Sequence, residues 1–349
     1  MNALHNTPNQ KDRRIGLGFT GTLSIQDSVR YAVLAENAGF ESIWVAEHYG
    51  AGRDPFMTIA AMASATKAIK LATGVVSAYT RHPAVMGSTL GTLDELSRGR
   101  IIFGLGTGNL TRLRERLRLE GIKPFTHVQE VTEITRQLLS GRTVTYRGEL
   151  FQVSKLNLGL NPYRPRMAVY IGAIQEQMLR LTVQIADGVL FSVASSPGYV
   201  SYAIRTMREE ADRIGRRFDE IDVASYVLCH LSDDPEKARE KVKPRLLAFL
   251  VRPKRGESIL EMAGLNPELI TPIRAAFEKG NRREALRRIT DKMIDELCII
   301  GNASECAKGL MRFRRCGVKL PIIVPLEENY EEAIRALAPK TQQQSHASP

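Results

Sequence analysis

Tyr79-Thr80-Arg81-His82-Pro83-Ala84-Val85-Met86 is the stretch whose reading decides the fold. It follows an apolar run, Ile69–Val76, that reads as a buried strand with a glycine at Gly74. Pro83 suits the first turn of a helix, where the missing N–H would have had no partner anyway. Downstream come Asp94-Glu95-Leu96-Ser97-Arg98-Gly99-Arg100 and a second apolar run leading into Gly104-Leu105-Gly106-Thr107-Gly108. Strand, polar loop, helix, strand and glycine-rich loop is the order expected of a parallel barrel whose chemistry sits at its strand ends.

The same grammar extends in both directions. Strands are expected at Ile15–Phe19, Ser42–Ala46, Ile69–Val76, Arg100–Leu105, Met167–Ile171, Gly188–Phe191, Ile221–Leu231 and Leu320–Pro325. Helices are expected between them: Ile25–Asn37 stopped by Gly39, one opening at Pro55, one at Pro83, Glu176–Ala186, Pro197–Ile214, one opening at Asp234-Pro235, and Ser304–Cys316 stopped by Gly317. Tyr146–Phe151 reads as a small hairpin with its turn at Arg147-Gly148. Residues 253–296 read as a helical insertion punctuated by Pro253, Pro267 and Pro272. The strands are short continuous apolar runs, as when both faces are covered. The expected fold is therefore α/β, a (βα)8 TIM barrel with insertions. It forms one domain over 13–338, with a flexible N-terminus at 1–12 and a disordered tail at 339–349. The rival, an open doubly wound sheet, usually carries G-x-G-x-x-G after its first strand, and Gly16-Leu17-Gly18 lacks the third glycine.

Bulk properties narrow the function classes. A chain of 349 residues with 43% hydrophobic content suffices for one barrel with a full core. It has no apolar run of membrane-spanning length, and Met1–Arg14 lacks the apolar core of an export signal. The four cysteines form no C-x-x-C pair and stand apart from any histidine cluster. A reducing cytoplasm without disulfides or a metal is the expectation. The net charge of +11 is dispersed over many segments and forms no compact basic tract. It reads as a solvated surface that attracts acidic ligands, with no nucleic-acid partner expected.

Polar groups collect where the strands should end. Glu47-His48 closes the second strand, an acid and an imidazole able to hydrogen-bond a heterocycle, the histidine also able to move a proton near neutral pH. Gly74-Val75-Val76-Ser77 closes the third, and Arg81 follows, facing either an anionic ligand or solvent. Gly106-Thr107-Gly108-Asn109 closes the fourth, where glycines let backbone N–H groups approach a ligand. Beyond it Arg112, Arg114, Arg116 and Arg118 either grip an acidic tail or form a solvated helix face. Gly172-Ala173-Ile174 closes the fifth, directly before a helix start that suits an anion.

This ordered set resembles the bacterial-luciferase-like oxidoreductases. Within them it is most similar to the deazaflavin-dependent subgroup typified by methylene-tetrahydromethanopterin reductase. The likeness runs from about residue 13 to 230 and returns more weakly over 297–325. It implies hydride transfer between a small-molecule substrate and a deazaflavin, coenzyme F420. An FMN-dependent monooxygenase of the same superfamily is the alternative, and a non-catalytic relative binding a cofactor or polyanion is a second. The resemblance places His48 against the cofactor ring, with Glu47 orienting it. It implies a non-prolyl cis peptide at Gly74–Val75 behind the middle ring. Gly18, Ser77, Thr107, Gly108, Asn109, Gly172 and Ala173 are further cofactor-side positions, the last two near the phosphate chain. Some relatives carry a glutamate where this chain has Asn109, which argues against the sugar-phosphate dehydrogenase branch. A homo-oligomer is also implied.

Overall fold

The computed structural model describes residues 14–48, 52–252, 255–326 and 329–339. The expected N-terminal segment, 1–12, and the expected tail after residue 339 lie outside the described residues. Eight parallel strands form the core: β1 Gly16–Phe19, β2 Ser42–Val45, β3 Lys70–Thr73, β4 Ile101–Gly106, β5 Ala168–Gly172, β6 Gly188–Phe191, β7 Asp222–Leu231 and β8 Leu320–Pro325. Each pairs with the next in chain order, and β8 returns to β1 with Gly16 opposite Ile322, so the sheet closes on itself. Helices cover the outside, as parallel crossovers require. Their ends follow local chemistry. Asp54 caps Pro55–Ala65, His82 caps Pro83–Ser97 through its ring nitrogen, and Gly39 ends Ile25–Ala38 in the left-handed region at φ 90°.

The barrel interior is filled by a few large side chains facing small ones. Trp44, Tyr170 and Tyr226, on β2, β5 and β7, belong to one buried cluster with Ala72, Ile102, Leu190 and Ile322. A side chain on Gly188 would collide with the Tyr170 ring, and one on Gly18 or Gly74 with Tyr226. Three glycines thus make room for two tyrosines, which is how a narrow barrel reaches interior packing density.

Three expectations need correction. The expected strand Ile69–Val76 is broken. β3 stops at Thr73, the Gly74–Val75 peptide is cis, and Val76–Ser77 resumes pairing with β4. Across the break the Thr73 hydroxyl replaces the ladder: it donates to the Gly104 carbonyl and accepts the Gly104 N–H, both at 2.8 Å. The hairpin pairs Val144–Arg147 with Gln152–Leu156, so its turn lies at 148–151 and not at Arg147-Gly148. The buried Glu130 carboxylate fixes that turn by accepting the N–H groups of Glu149, Leu150 and Phe151. Finally, Cys298–Gly301 is an additional strand. β7 is ten residues long: Asp222–Ser225 pair with β6, while Leu228–Leu231 pair with Cys298–Gly301. Above Ser225 the barrel wall therefore leaves β6 and opens. The helical insertion, Arg255–Met262 through Asp291–Leu297, packs there around its own core of Leu246, Leu250, Leu260, Ile273 and Met293.

Thr73 is the cheapest point at which to test this account. Thr73→Val keeps the shape but strands two buried backbone groups of Gly104. We expect a loss of about 3 kcal/mol in urea unfolding. A loss under about 1 kcal/mol would show that the hydroxyl does not replace the ladder.

Candidate active site

The C-terminal strand ends surround one open pocket of about 1090 Å³, its mouth included. Every barrel strand contributes to its lining: Gly18 from β1, Glu47 and His48 after β2, Gly74 and Val75 after β3, Thr107 to Asn109 after β4, Gly172 and Ala173 at β5, Leu190 and Phe191 from β6, Tyr226 from β7 and Val324 from β8. Ten of the eleven cofactor-side or catalytic positions expected from sequence thus come together. Ser77 does not. It is fully buried, its N–H donating to Glu47 Oε2 at 2.8 Å and its hydroxyl accepting the Tyr79 N–H.

The Val75 side chain forms a partly exposed ledge in the floor. Two things hold it there. From inside the barrel, the buried Tyr226 hydroxyl donates to the Gly74 carbonyl at 2.8 Å. From the sides, β4 and β5 carry glycine where other residues would push Val75 away: a Cβ on Gly106 would come within 2.8 Å of the Val75 side chain, and one on Gly172 within 3.2 Å. The glycines after the fourth and fifth strands therefore serve the ledge as much as any ligand. Tyr226 was missed from sequence, because a tyrosine inside an apolar strand carries no signal of its own.

Glu47 was expected to orient His48. Instead its nearly buried carboxylate pairs with Arg81 through Oε1 and accepts the Ser77 N–H through Oε2. Arg81 also pairs with Asp54 at 2.6 Å and lies over the Phe56 ring. Arg81 is thus neither a ligand arginine nor a free surface group. It clamps the end of β2 to the helix Pro55–Ala65. The His48 imidazole has no hydrogen-bond partner among the described residues and faces the pocket. Burial, with the positive charges of Arg245, Arg112 and Arg252, lowers its pKa from 6.5 to about 4. The ring is neutral at physiological pH, so one nitrogen accepts while the other donates.

The arginine run splits. Arg112 lines the pocket, whereas Arg114, Arg116 and Arg118 point to solvent. Asn109 both lines the pocket and caps the helix Leu110–Leu117 by accepting the Arg112 N–H. The pocket's opposite rim, also missed from sequence, is Arg245, Phe249 and Arg252 at the end of the helix Pro235–Leu250. Arg245 and Phe249, four residues apart, share one helical face, and Arg252 follows the C-cap Val251, a pattern that was legible but carried no match to a known site. Gly172 and Ala173 lie just ahead of the helix Glu176–Ile185. Among the described residues no group of three or more His, Cys, Asp or Glu is placed to hold a metal ion. No helix among them is long and apolar enough to cross a membrane.

Comparison with known proteins agrees with this geometry. A family model described as luciferase-like monooxygenase matches residues 2–320. The 5,10-methylenetetrahydromethanopterin reductase of Archaeoglobus fulgidus is 31% identical over 309 residues, 87% of this chain and 91% of that protein. Limonene 1,2-monooxygenase of Rhodococcus erythropolis is 30% identical over 62% of this chain and 57% of its own length. Among solved structures, the coenzyme F420-dependent tetrahydromethanopterin reductase from Methanopyrus kandleri superposes with a TM-score of 0.85 at 27% identity. That match covers 93% of this chain and 97% of that one.

The His48 environment has a measurable consequence. Between its ordinary pKa of 6.5 and its folded value of about 4, the unfolded chain binds a proton that the folded chain does not. Stability therefore falls as pH drops through that window. Imidazole NMR should give a midpoint for His48 of about 4, and His48→Gln should flatten that part of the stability profile. A midpoint near the ordinary histidine value would contradict the assigned environment.

Proposed function

The chain belongs to the luciferase-like monooxygenase family, and from that premise we propose that it is a coenzyme F420-dependent oxidoreductase acting on a small organic substrate. The observation that carries the reading is the pocket itself: an apolar ledge at Val75, a neutral imidazole at His48 and the Gly172-Ala173 strand end, just ahead of a helix start, share one cavity. A flat heterocycle with an anionic chain matches that lining in shape and charge. Likeness over nearly the whole length to reductases named for methylenetetrahydromethanopterin favours the deazaflavin over FMN, since the monooxygenase match is shorter.

When bound, a deazaflavin supplies a ring carbon that gives or takes a hydride. The chain's own residues bind, orient and shield. Val75 would support a flat ring, and Gly74, pinned by Tyr226, would set the height of that support. Thr107, Gly108 and Asn109 offer a hydroxyl, a backbone turn and an amide along one edge. Gly172 and Ala173 receive the anionic chain beside a helix start. His48 delivers or removes a proton at an imidazole nitrogen of the pocket face. Glu47, locked to Arg81 and the Ser77 N–H, keeps the backbone under His48 in place. Arg245, Phe249 and Arg252, at and just past the end of the helix Pro235–Leu250, border the mouth. The three fully buried thiols fit a reducing cytoplasm, and a homo-oligomer is the expected assembly, measurable by sedimentation.

The FMN-dependent reading keeps the same pocket, because fold does not decide between these chemistries. Fluorescence titration separates them. Coenzyme F420 should be quenched at micromolar protein, with FMN binding at least about tenfold weaker. Tight FMN binding with no deazaflavin binding would overturn the choice. His48→Ala should lower kcat by about 100-fold with little change in cofactor affinity. An unaltered kcat would remove the proton-transfer role.

A further inference from the structure

We infer that the arginines at the pocket mouth receive an anionic group of the substrate, a carboxylate or a phosphate, held within electrostatic reach of His48. This rests on the oxidoreductase reading and deepens it: the substrate is an organic acid or phosphate ester, not a neutral alcohol or enone.

Charge pairing carries the inference. Among the described residues the side chains of Arg112 and Arg245 have no carboxylate partner and no hydrogen bond. Both are partly buried in the pocket lining. Arg81, close by, is neutralised by Glu47 and Asp54. Among the described residues that line the pocket, Glu47 is the only carboxylate, and it is committed to Arg81. Among the described residues, two guanidiniums of the mouth, those of Arg112 and Arg245, therefore face the pocket with no carboxylate beside them. Removing such groups from water is unfavourable unless an anion is supplied.

The helix beneath this rim is well anchored. Arg252 lies 4.9 Å and Arg245 6.0 Å from the centre of the Phe249 ring, and Arg252 Nε donates to the Ala248 carbonyl at 3.1 Å. On the helix Pro235–Leu250 the other face, Leu246, Leu247 and Leu250, is anchored in the insertion core. The insertion thus fixes the helix that carries Arg245 and Phe249 to the pocket mouth.

Position separates substrate from cofactor. Arg112, Arg245 and Arg252 line the same pocket as His48 and act on its ring electrostatically, and His48 is the group to which the proposed function gives proton transfer. Arg245 and Arg252 descend from β7, whereas the glycine-lined strand end that suits a phosphodiester chain belongs to β5. An anionic group served by the arginines would therefore lie on the His48 side of the pocket.

Inorganic phosphate is the probe. Its binding between the arginines and His48 should raise the His48 NMR midpoint in the free protein, where chloride at equal ionic strength should not. The same phosphate response should persist in protein saturated with coenzyme F420. Arg245→Met should weaken phosphate binding about tenfold or more, and Arg112→Met, on a separate element, should do likewise. Thermal melting checks that each variant is folded. A phosphate response equal to that of chloride, or unchanged in both variants, overturns the inference. So does exclusion of phosphate by coenzyme F420 together with weaker F420 binding in Arg245→Met, which would assign the arginines to the cofactor. Failure of F420 quenching with the phosphate response intact overturns the deazaflavin reading alone.

Discussion

The buried Tyr226 hydroxyl, donating to the Gly74 carbonyl, pins the floor of this site from inside the barrel, while the Gly74 N–H keeps its bond to the Val45 carbonyl at 2.8 Å. The Tyr226 bond crosses the inside of the barrel from β7 to the end of β3. On its far side stands the Val75 ledge, and around it the chain has given up side chains wherever they would interfere. Gly74 lacks one because the tyrosine hydroxyl occupies the space; Gly106 and Gly172 lack one because Val75 does. Moving Tyr226 would release the ledge. Filling any of those glycines would displace either the tyrosine or the valine. Thr73 completes the arrangement by taking over both backbone groups that the interrupted ladder leaves at Gly104.

Above that floor, the electrostatics are sorted by element. The carboxylate of Glu47 is spent on the scaffold, through Arg81 and the Ser77 N–H, and is closed to ligand chemistry. Arg112 and Arg245 are left to the pocket. The effect reaches His48, which the surrounding positive charge and burial hold neutral. A histidine kept uncharged in a cationic cavity can exchange a proton without first losing one to bulk solvent, and an arriving anion would raise its basicity. Part of the dispersed charge of +11 is local: Arg112 and Arg245 face the pocket, while others pair with surface carboxylates, as Arg180 does with Glu176 and Arg335 with Glu331.

The barrel departs from a plain eightfold repeat at β7. That strand outruns β6 and takes Cys298–Gly301 as a new neighbour, and the insertion builds its own apolar core in the gap. The same helix therefore has two tasks on two faces. Its leucines hold the insertion together, and Arg245 and Phe249 shape the mouth.

The barrel was legible in the sequence because its signals are local. Apolar runs of four to six residues, capping residues such as Asp54 and His82, and stops such as Gly39 act within a few positions of themselves. Strand ends can be located from those runs, and most of the pocket follows, since a closed parallel barrel gathers its strand ends on one rim. Contacts between distant segments were not legible. Whether Glu47 meets His48 or Arg81, whether Ser77 faces the pocket or its underside, which arginine of the run turns inward, and which tyrosine pins Gly74 are settled by distances across the barrel. Sequence order carries no measure of such distances, because closing the ring joins side chains as far apart in the chain as Gly74 and Tyr226.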